Sequence, residues 1–158
     1  MPKLLDVYRE RFQLACMDIK EIVSAGHPLG PVVKTSLCAV GGILTGAGLW
    51  LALEGGPLDS PGQTGAELAG FMVGLVVAAK RGYALPGTLR GAISGLGLAS
   101  FSALLLVCWL AAAKPSLPIT VLFHPAALYL YFGMGSVAAM CGVAVVWAVS
   151  LKARRHAG

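Results

Sequence analysis

The chain has 158 residues, of which 57% are hydrophobic and only 12% are charged, and its net charge is +5. About a quarter of the residues are charged in a typical soluble domain, so this chain has too few charges to cover a water-exposed surface. Its basic residues lie in short segments between long apolar runs, which indicates membrane orientation signals rather than a nucleic-acid-binding surface. We therefore expect an all-α integral membrane bundle.

Residues 3–25 are predicted to form an amphipathic helix within an N-terminal region of residues 1–30. Apolar residues recur there every three or four positions, which is the period of one helix face. The segment is too polar to cross a bilayer, and its acidic residues balance its basic ones, so attraction to anionic lipid should be weak. We therefore expect it to dock on a protein partner at the inner membrane surface through four apolar side chains, Tyr8, Phe12, Ile19 and Ile22.

A transmembrane domain is predicted over residues 31–151, followed by a basic tail of residues 152–158. Its four spans are expected at about residues 35–53, 64–83, 91–113 and 126–151. A helix needs about 20 apolar residues to cross the hydrocarbon core. The second span has only 12 uninterrupted apolar residues, from Leu68 to Ala79, so it crosses only if the residues at both of its ends take part.

The distribution of basic residues favours four spans. With the N-terminus inside, eleven Lys and Arg residues lie on the inner side and only Lys114 lies outside. Deleting the second span would remove this asymmetry, which membrane proteins use to set their orientation. We therefore predict that both termini lie on the inner side, which is the matrix for a mitochondrial protein and the cytoplasm for a bacterial one.

Small residues recur at every fourth position of the spans. Residues four apart share one helix face, and small residues on that face let two helix backbones approach closely. The alternative is that Gly and Ala are simply common in membrane helices. The pattern predicts close packing, in particular of the second span against the third, and its packing residues are three glycine pairs, Gly42 with Gly46, Gly70 with Gly74, and Gly91 with Gly95.

Between the ends of the spans there is no acidic residue, Lys, Arg or His. Ion and proton pathways usually need such groups, so a pump or a proton-conducting subunit is disfavoured. His27 and His124 fall on opposite sides of the membrane and cannot ligate one haem iron. No catalytic set, metal-ligand spacing or phosphate loop is visible, and we expect neither enzymatic activity nor a cofactor.

The second span and the loop after it combine a glycine stripe with a basic pair, Gly70-xxx-Gly74-xxx-Ala78-x-Lys80-Arg81-Gly82. This stretch resembles the glycine-striped helix and basic loop of the mitochondrial inner-membrane preprotein translocase family, which includes an accessory subunit of respiratory complex I. The resemblance covers 40 residues, 64–103, whereas the amphipathic N-terminus and the Pro-rich second outer loop depart from the family. It implies a four-helix protein of the mitochondrial inner membrane.

The leading functional hypothesis is a non-catalytic accessory subunit of a mitochondrial inner-membrane complex, of the respiratory chain or ATP synthase, that acts in assembly and structural stabilisation. Its partners would be other membrane subunits and lipids, and not nucleic acid. The alternative is a channel or protein-translocase component of the same membrane. A membrane enzyme that uses a loop histidine such as His124 is a third and less favoured class.

Overall fold

The computed structural model describes residues 27, 29–55, 60–114 and 119–156, together with the isolated positions 13 and 17. The described part is almost entirely helical and contains no strand. Its elements are α1 (Gly30–Glu54), α2 (Pro61–Lys80), α3 (Thr88–Ala113), a short 3₁₀ helix (Ile119–Phe123) and α4 (Pro125–His156). The predicted N-terminal docking helix, with Tyr8, Phe12, Ile19 and Ile22, lies outside the described residues.

All four long helices are long and apolar enough to cross a membrane. The prediction of an all-α membrane bundle with four spans is therefore confirmed. The shortest helix, α2, has 20 residues, which at 1.5 Å per residue gives about 30 Å, the thickness of the hydrocarbon core. The second span therefore has the length to cross a bilayer without the residues after Lys80.

The bounds of α2 differ from the predicted 64–83 because of the capping residues at its ends. Ser60 is the N-cap, and its hydroxyl accepts a hydrogen bond from the backbone N–H of Gln63 at 3.2 Å. Pro61 follows at the first helical position, where its missing N–H costs nothing. At the other end, Gly82 has φ +68°, a left-handed conformation that ends the helix and suits glycine. The helix therefore begins and ends earlier than predicted.

The last helix extends further than expected. α4 was predicted to end at residue 151, but it continues to His156, so residues 152–156 form its last turns rather than a separate tail. Its 32 residues correspond to about 48 Å, which exceeds the hydrocarbon core. The basic residues Arg154 and Arg155 lie in the last turn, where cations interact favourably with the negative end of the helix dipole.

The bundle consists of two helical hairpins, α1 with α2 and α3 with α4. The hairpins meet mainly where α2 contacts α4, around a small core that includes Phe71, Leu75, Ala139 and Val143. The predicted packing of the second span against the third is therefore wrong, since α2 and α3 make only a short contact. Each of these helices turns its small-residue face towards the other helix of its own hairpin.

The two ends of the bundle differ in charge. The start of α1, the α2–α3 connection and the end of α4 lie at one end, which we call the basic end. Its cations include Lys34, Lys80, Arg90 and Lys152, whereas Glu54 and Glu67 lie towards the other end. Between the ends, large apolar side chains point outwards and are more than half exposed on all four helices, as expected for a surface in contact with lipid.

Candidate functional site

The first hairpin is held by direct contact between the backbones of α1 and α2. A Cβ added to Gly42 would overlap the carbonyl oxygen of Gly70, and a Cβ added to Gly70 would overlap the carbonyl oxygen of Gly42. The contact is therefore reciprocal, with no side chain between the two helices. One turn further along α1, a Cβ on Gly46 would overlap the carbonyl oxygen of Ala66 in the same way.

The contact of the first hairpin continues towards both of its ends. Gly74 packs against the backbone of Cys38 and Ala39 near the basic end. Towards the other end, the Trp50 ring lies directly over Gly62, so a side chain at that position would require the ring to move. Glycines at these positions let van der Waals packing hold the pair together in lipid, where the hydrophobic effect cannot.

The second hairpin uses the same kind of contact. A Cβ on Gly91 would lie 2.6 Å from the carbonyl oxygen of Gly142, and one on Gly142 would overlap the carbonyl of Gly91. Gly95 packs against the backbone of Ala138 and Ala139. All six glycines predicted from the sequence thus lie at backbone contacts, but the contacts join α1 to α2 and α3 to α4.

Two hydrogen bonds between side chains fasten α4 to α3, and sequence reasoning missed both. The Trp147 indole N–H donates to the Thr88 hydroxyl at 3.1 Å, and that hydroxyl donates to the Leu85 carbonyl at 2.7 Å. Thr88 is only 1% exposed, so these bonds lie within the packed structure. Further along, the hydroxyls of Ser100 and Tyr131 lie 3.0 Å apart. The pairing of α3 with α4 therefore combines backbone contact with polar links.

A second glycine-containing face of α1 has no partner among the described residues. We call it the α1 seam, and it consists of Leu37, Gly41, Leu44, Gly48 and Leu51. All five residues are exposed, and no atom lies within 4 Å of a Cβ added to Gly41 or Gly48. Small residues at steps of four do not mark this face, because the α1 seam alternates steps of four and three.

His27 and His124, the two histidines tested as a pair of haem ligands, each accept a hydrogen bond from a nearby backbone N–H. His124 accepts a hydrogen bond at Nδ1 from the Ala126 N–H at 3.3 Å, at the start of α4. His27 accepts one from the Leu29 N–H at 3.3 Å, just before α1. The two rings lie at opposite ends of the bundle. Among the residues that the structure describes, no group of three or more His, Cys, Asp or Glu could hold a metal ion.

Comparison with protein-family models, with curated proteins and with solved structures finds no match. The resemblance of α2 and its basic loop to the preprotein translocase family therefore stays a prediction.

Proposed function

We propose that this protein is a non-catalytic accessory subunit of a larger membrane complex, and that it docks through the α1 seam on a transmembrane helix of a partner subunit. We further propose that the membrane is the mitochondrial inner membrane, that the complex belongs to the respiratory chain or is ATP synthase, and that both termini lie in the matrix. The observation that carries the proposal is the α1 seam.

The α1 seam has the geometry of a helix-packing surface. With 3.6 residues per turn, its five positions fall within an arc of about 80° on one side of α1. The alternating steps average 3.5 residues, which is the period of knobs-into-holes packing between two helices. The knobs that can insert into a facing helix are the side chains of Leu37, Leu44 and Leu51. The space that would receive side chains of that helix lies over Gly41 and Gly48.

The chemistry of the α1 seam indicates what kind of molecule binds to it. The seam extends over 15 residues, from Leu37 to Leu51, and none of its five side chains carries a charge or a hydrogen-bonding group. Lipid chains contact any apolar helix face and gain nothing specific from glycine. A second helix does gain, because two backbones can approach closely at Gly41 and Gly48. An apolar transmembrane helix therefore fits the α1 seam better than lipid does.

The distribution of charge supports a structural role. In the described helices the charged residues lie within the first seven or the last five residues of each helix, and the stretch between them is free of charge. An ion or proton pathway would need ionisable groups there. The basic end supports placement of both termini on the inner side of the membrane, and the resemblance of α2 and its basic loop supports a mitochondrial location.

The test uses the full-length tagged protein in its native membrane, with Gly48→Leu as the docking variant and Gly97→Leu as the matched control. Both glycines have open space around the added Cβ, so both variants should keep the two hairpins intact. After solubilisation in digitonin, native gel electrophoresis and mass spectrometry identify the proteins that migrate with each variant. We expect the wild type and Gly97→Leu in a large complex and Gly48→Leu free of it.

Two results would count against the proposal. Recovery of the wild type only as a monomer, or only as a pair of identical chains, would exclude an accessory subunit. If Gly48→Leu stays in the complex as fully as Gly97→Leu, the α1 seam is not the docking surface.

A further inference from the structure

A small cavity at the basic end lies between the start of α1, the α2–α3 connection and the last turns of α4. Its volume is about 160 Å³, and His27, Lys34, Tyr83 and Arg154 contribute to its lining. Pockets for drug-sized ligands measure roughly 300–1,000 Å³, so this cavity can hold a single chemical group rather than a large molecule. None of its described lining residues is a carboxylate.

The lining brings together donors from segments far apart in the sequence. Lys34 lies in α1, and Arg154 lies in the last turn of α4. His27 Nδ1 accepts the Leu29 N–H, so in the neutral ring the proton is on Nε2, which makes that nitrogen a hydrogen-bond donor. Two cations and a further donor around one cavity, with no described carboxylate in the lining, are complementary to an anion.

Two further features favour an anion at this place. The Lys34 ammonium lies 5.5 Å from the centroid of the Tyr83 ring, a cation–π contact that holds the ammonium at the cavity. Gly30, the first residue of α1, also lines the cavity. The positive end of the α1 dipole therefore lies beside the cavity and stabilises negative charge there.

We propose that this cavity binds a phosphate group, supplied by the headgroup of an anionic phospholipid. The cavity lies where α1 begins and where α4 ends in its basic turns, next to Tyr83, which is the depth at which headgroups and interfacial aromatic residues lie. Basic pockets between transmembrane helices on the inner side of a membrane bind such headgroups. The planar guanidinium of Arg154 can bind two phosphate oxygens at once. This proposal is independent of docking through the α1 seam.

The experiment titrates the purified full-length protein in neutral detergent with phosphatidylglycerol, and with phosphatidylcholine of the same chain length as the uncharged control. Native mass spectrometry measures the bound fraction. Arg154→Gln and Lys34→Gln remove cations from the lining, whereas Arg155→Gln and Lys80→Gln remove the same charge outside it. We expect each lining variant to bind phosphatidylglycerol about fivefold more weakly, the two controls to bind as the wild type does, and Lys34→Arg to keep its binding.

A second titration with inorganic phosphate distinguishes the source of the group. Displacement of phosphatidylglycerol by phosphate, with the same dependence on Arg154, supports recognition of the phosphate itself. Binding of inorganic phosphate without binding of phosphatidylglycerol would overturn the lipid as its source. Equal binding of both lipids, or equal weakening by Arg154→Gln and Arg155→Gln, would show only diffuse surface attraction and overturn the site.

Discussion

The two neighbouring glycines Gly41 and Gly42 allow a direct test of the backbone contact that forms the first hairpin. Gly42 lies against α2, where an added Cβ would be 2.9 Å from the Gly70 carbonyl carbon and 3.1 Å from the Gly74 amide nitrogen. Gly41 lies about 100° further round the helix axis, with no atom within 4 Å of its added Cβ. Replacing each glycine by Ala makes the same chemical change in two different surroundings.

The expected difference in stability follows from these contacts. Gly→Ala restricts the unfolded chain and stabilises a helix by about 0.4–1 kcal/mol where the new residue fits, and this gain is common to both variants. Only Gly42→Ala adds an overlap with backbone atoms, which cannot rotate away. Inserting an extra methyl group into a packed contact costs typically about 1–3 kcal/mol. The folding equilibrium constants of the two variants should therefore differ by about five- to 150-fold.

The measurement is an unfolding titration with sodium dodecyl sulfate in mixed micelles, followed by tryptophan fluorescence. Of the three tryptophans, Trp50 packs against Gly62 in the first hairpin and Trp147 is hydrogen-bonded to Thr88 in the second, so the change in emission reports loss of packing in both hairpins. We expect Gly41→Ala to unfold at or above the wild-type detergent fraction and Gly42→Ala well below it. Equal midpoints for the two variants would refute the close contact between α1 and α2.

Three further predictions concern the second hairpin and the N-terminus. Gly95→Ala should destabilise the α3–α4 pair, whereas Gly97→Ala, which has open space around its Cβ, should not, and the same titration measures both. Thr88→Val leaves the Trp147 indole N–H without its acceptor, while the Leu85 carbonyl still accepts the backbone N–H of residue 88, so it should lower the free energy of unfolding by about 1–3 kcal/mol; a change below about 0.5 kcal/mol would show that the indole hydrogen bond adds little. Replacing Phe12 and Ile19 by Asp should release the protein from its complex on a native gel while alkaline extraction still finds it in the membrane, and normal assembly of this variant would exclude the N-terminal segment as a docking element.

The positions of the helix contacts could be predicted from the sequence, but the choice of partner helices could not. A glycine every fourth residue marks a face that tolerates a backbone neighbour, and Gly42, Gly70 and Gly95 all lie at such contacts. Nothing in that spacing specifies which helix the face meets. The sequence predicts that the small-residue face of α2 packs against α3, whereas Gly70 and Gly74 contact α1. The pairing depends on how all four helices fit together.

Two other features could not be found by searching for one repeat or one motif. The α1 seam has a period of 3.5 residues, and a search for glycines four apart passes over Gly41 and Gly48. The basic cavity combines His27, Lys34 and Arg154, and only the fold brings the start of α1 to the end of α4. Basic residues that indicate membrane orientation in the sequence, such as Lys34 and Arg154, also line this cavity in the folded protein.

The most direct test of the four-span architecture is the sidedness of two single cysteines. In a chain whose native cysteines are replaced by Ser, Ser60→Cys lies between α1 and α2, and His156→Cys lies at the end of α4. Each is treated in sealed vesicles with a membrane-impermeant maleimide, before and after permeabilisation. Four crossings predict that the two cysteines react from opposite sides of the membrane, with residue 156 on the inner side. Reaction of both from the same side would contradict the four-span architecture.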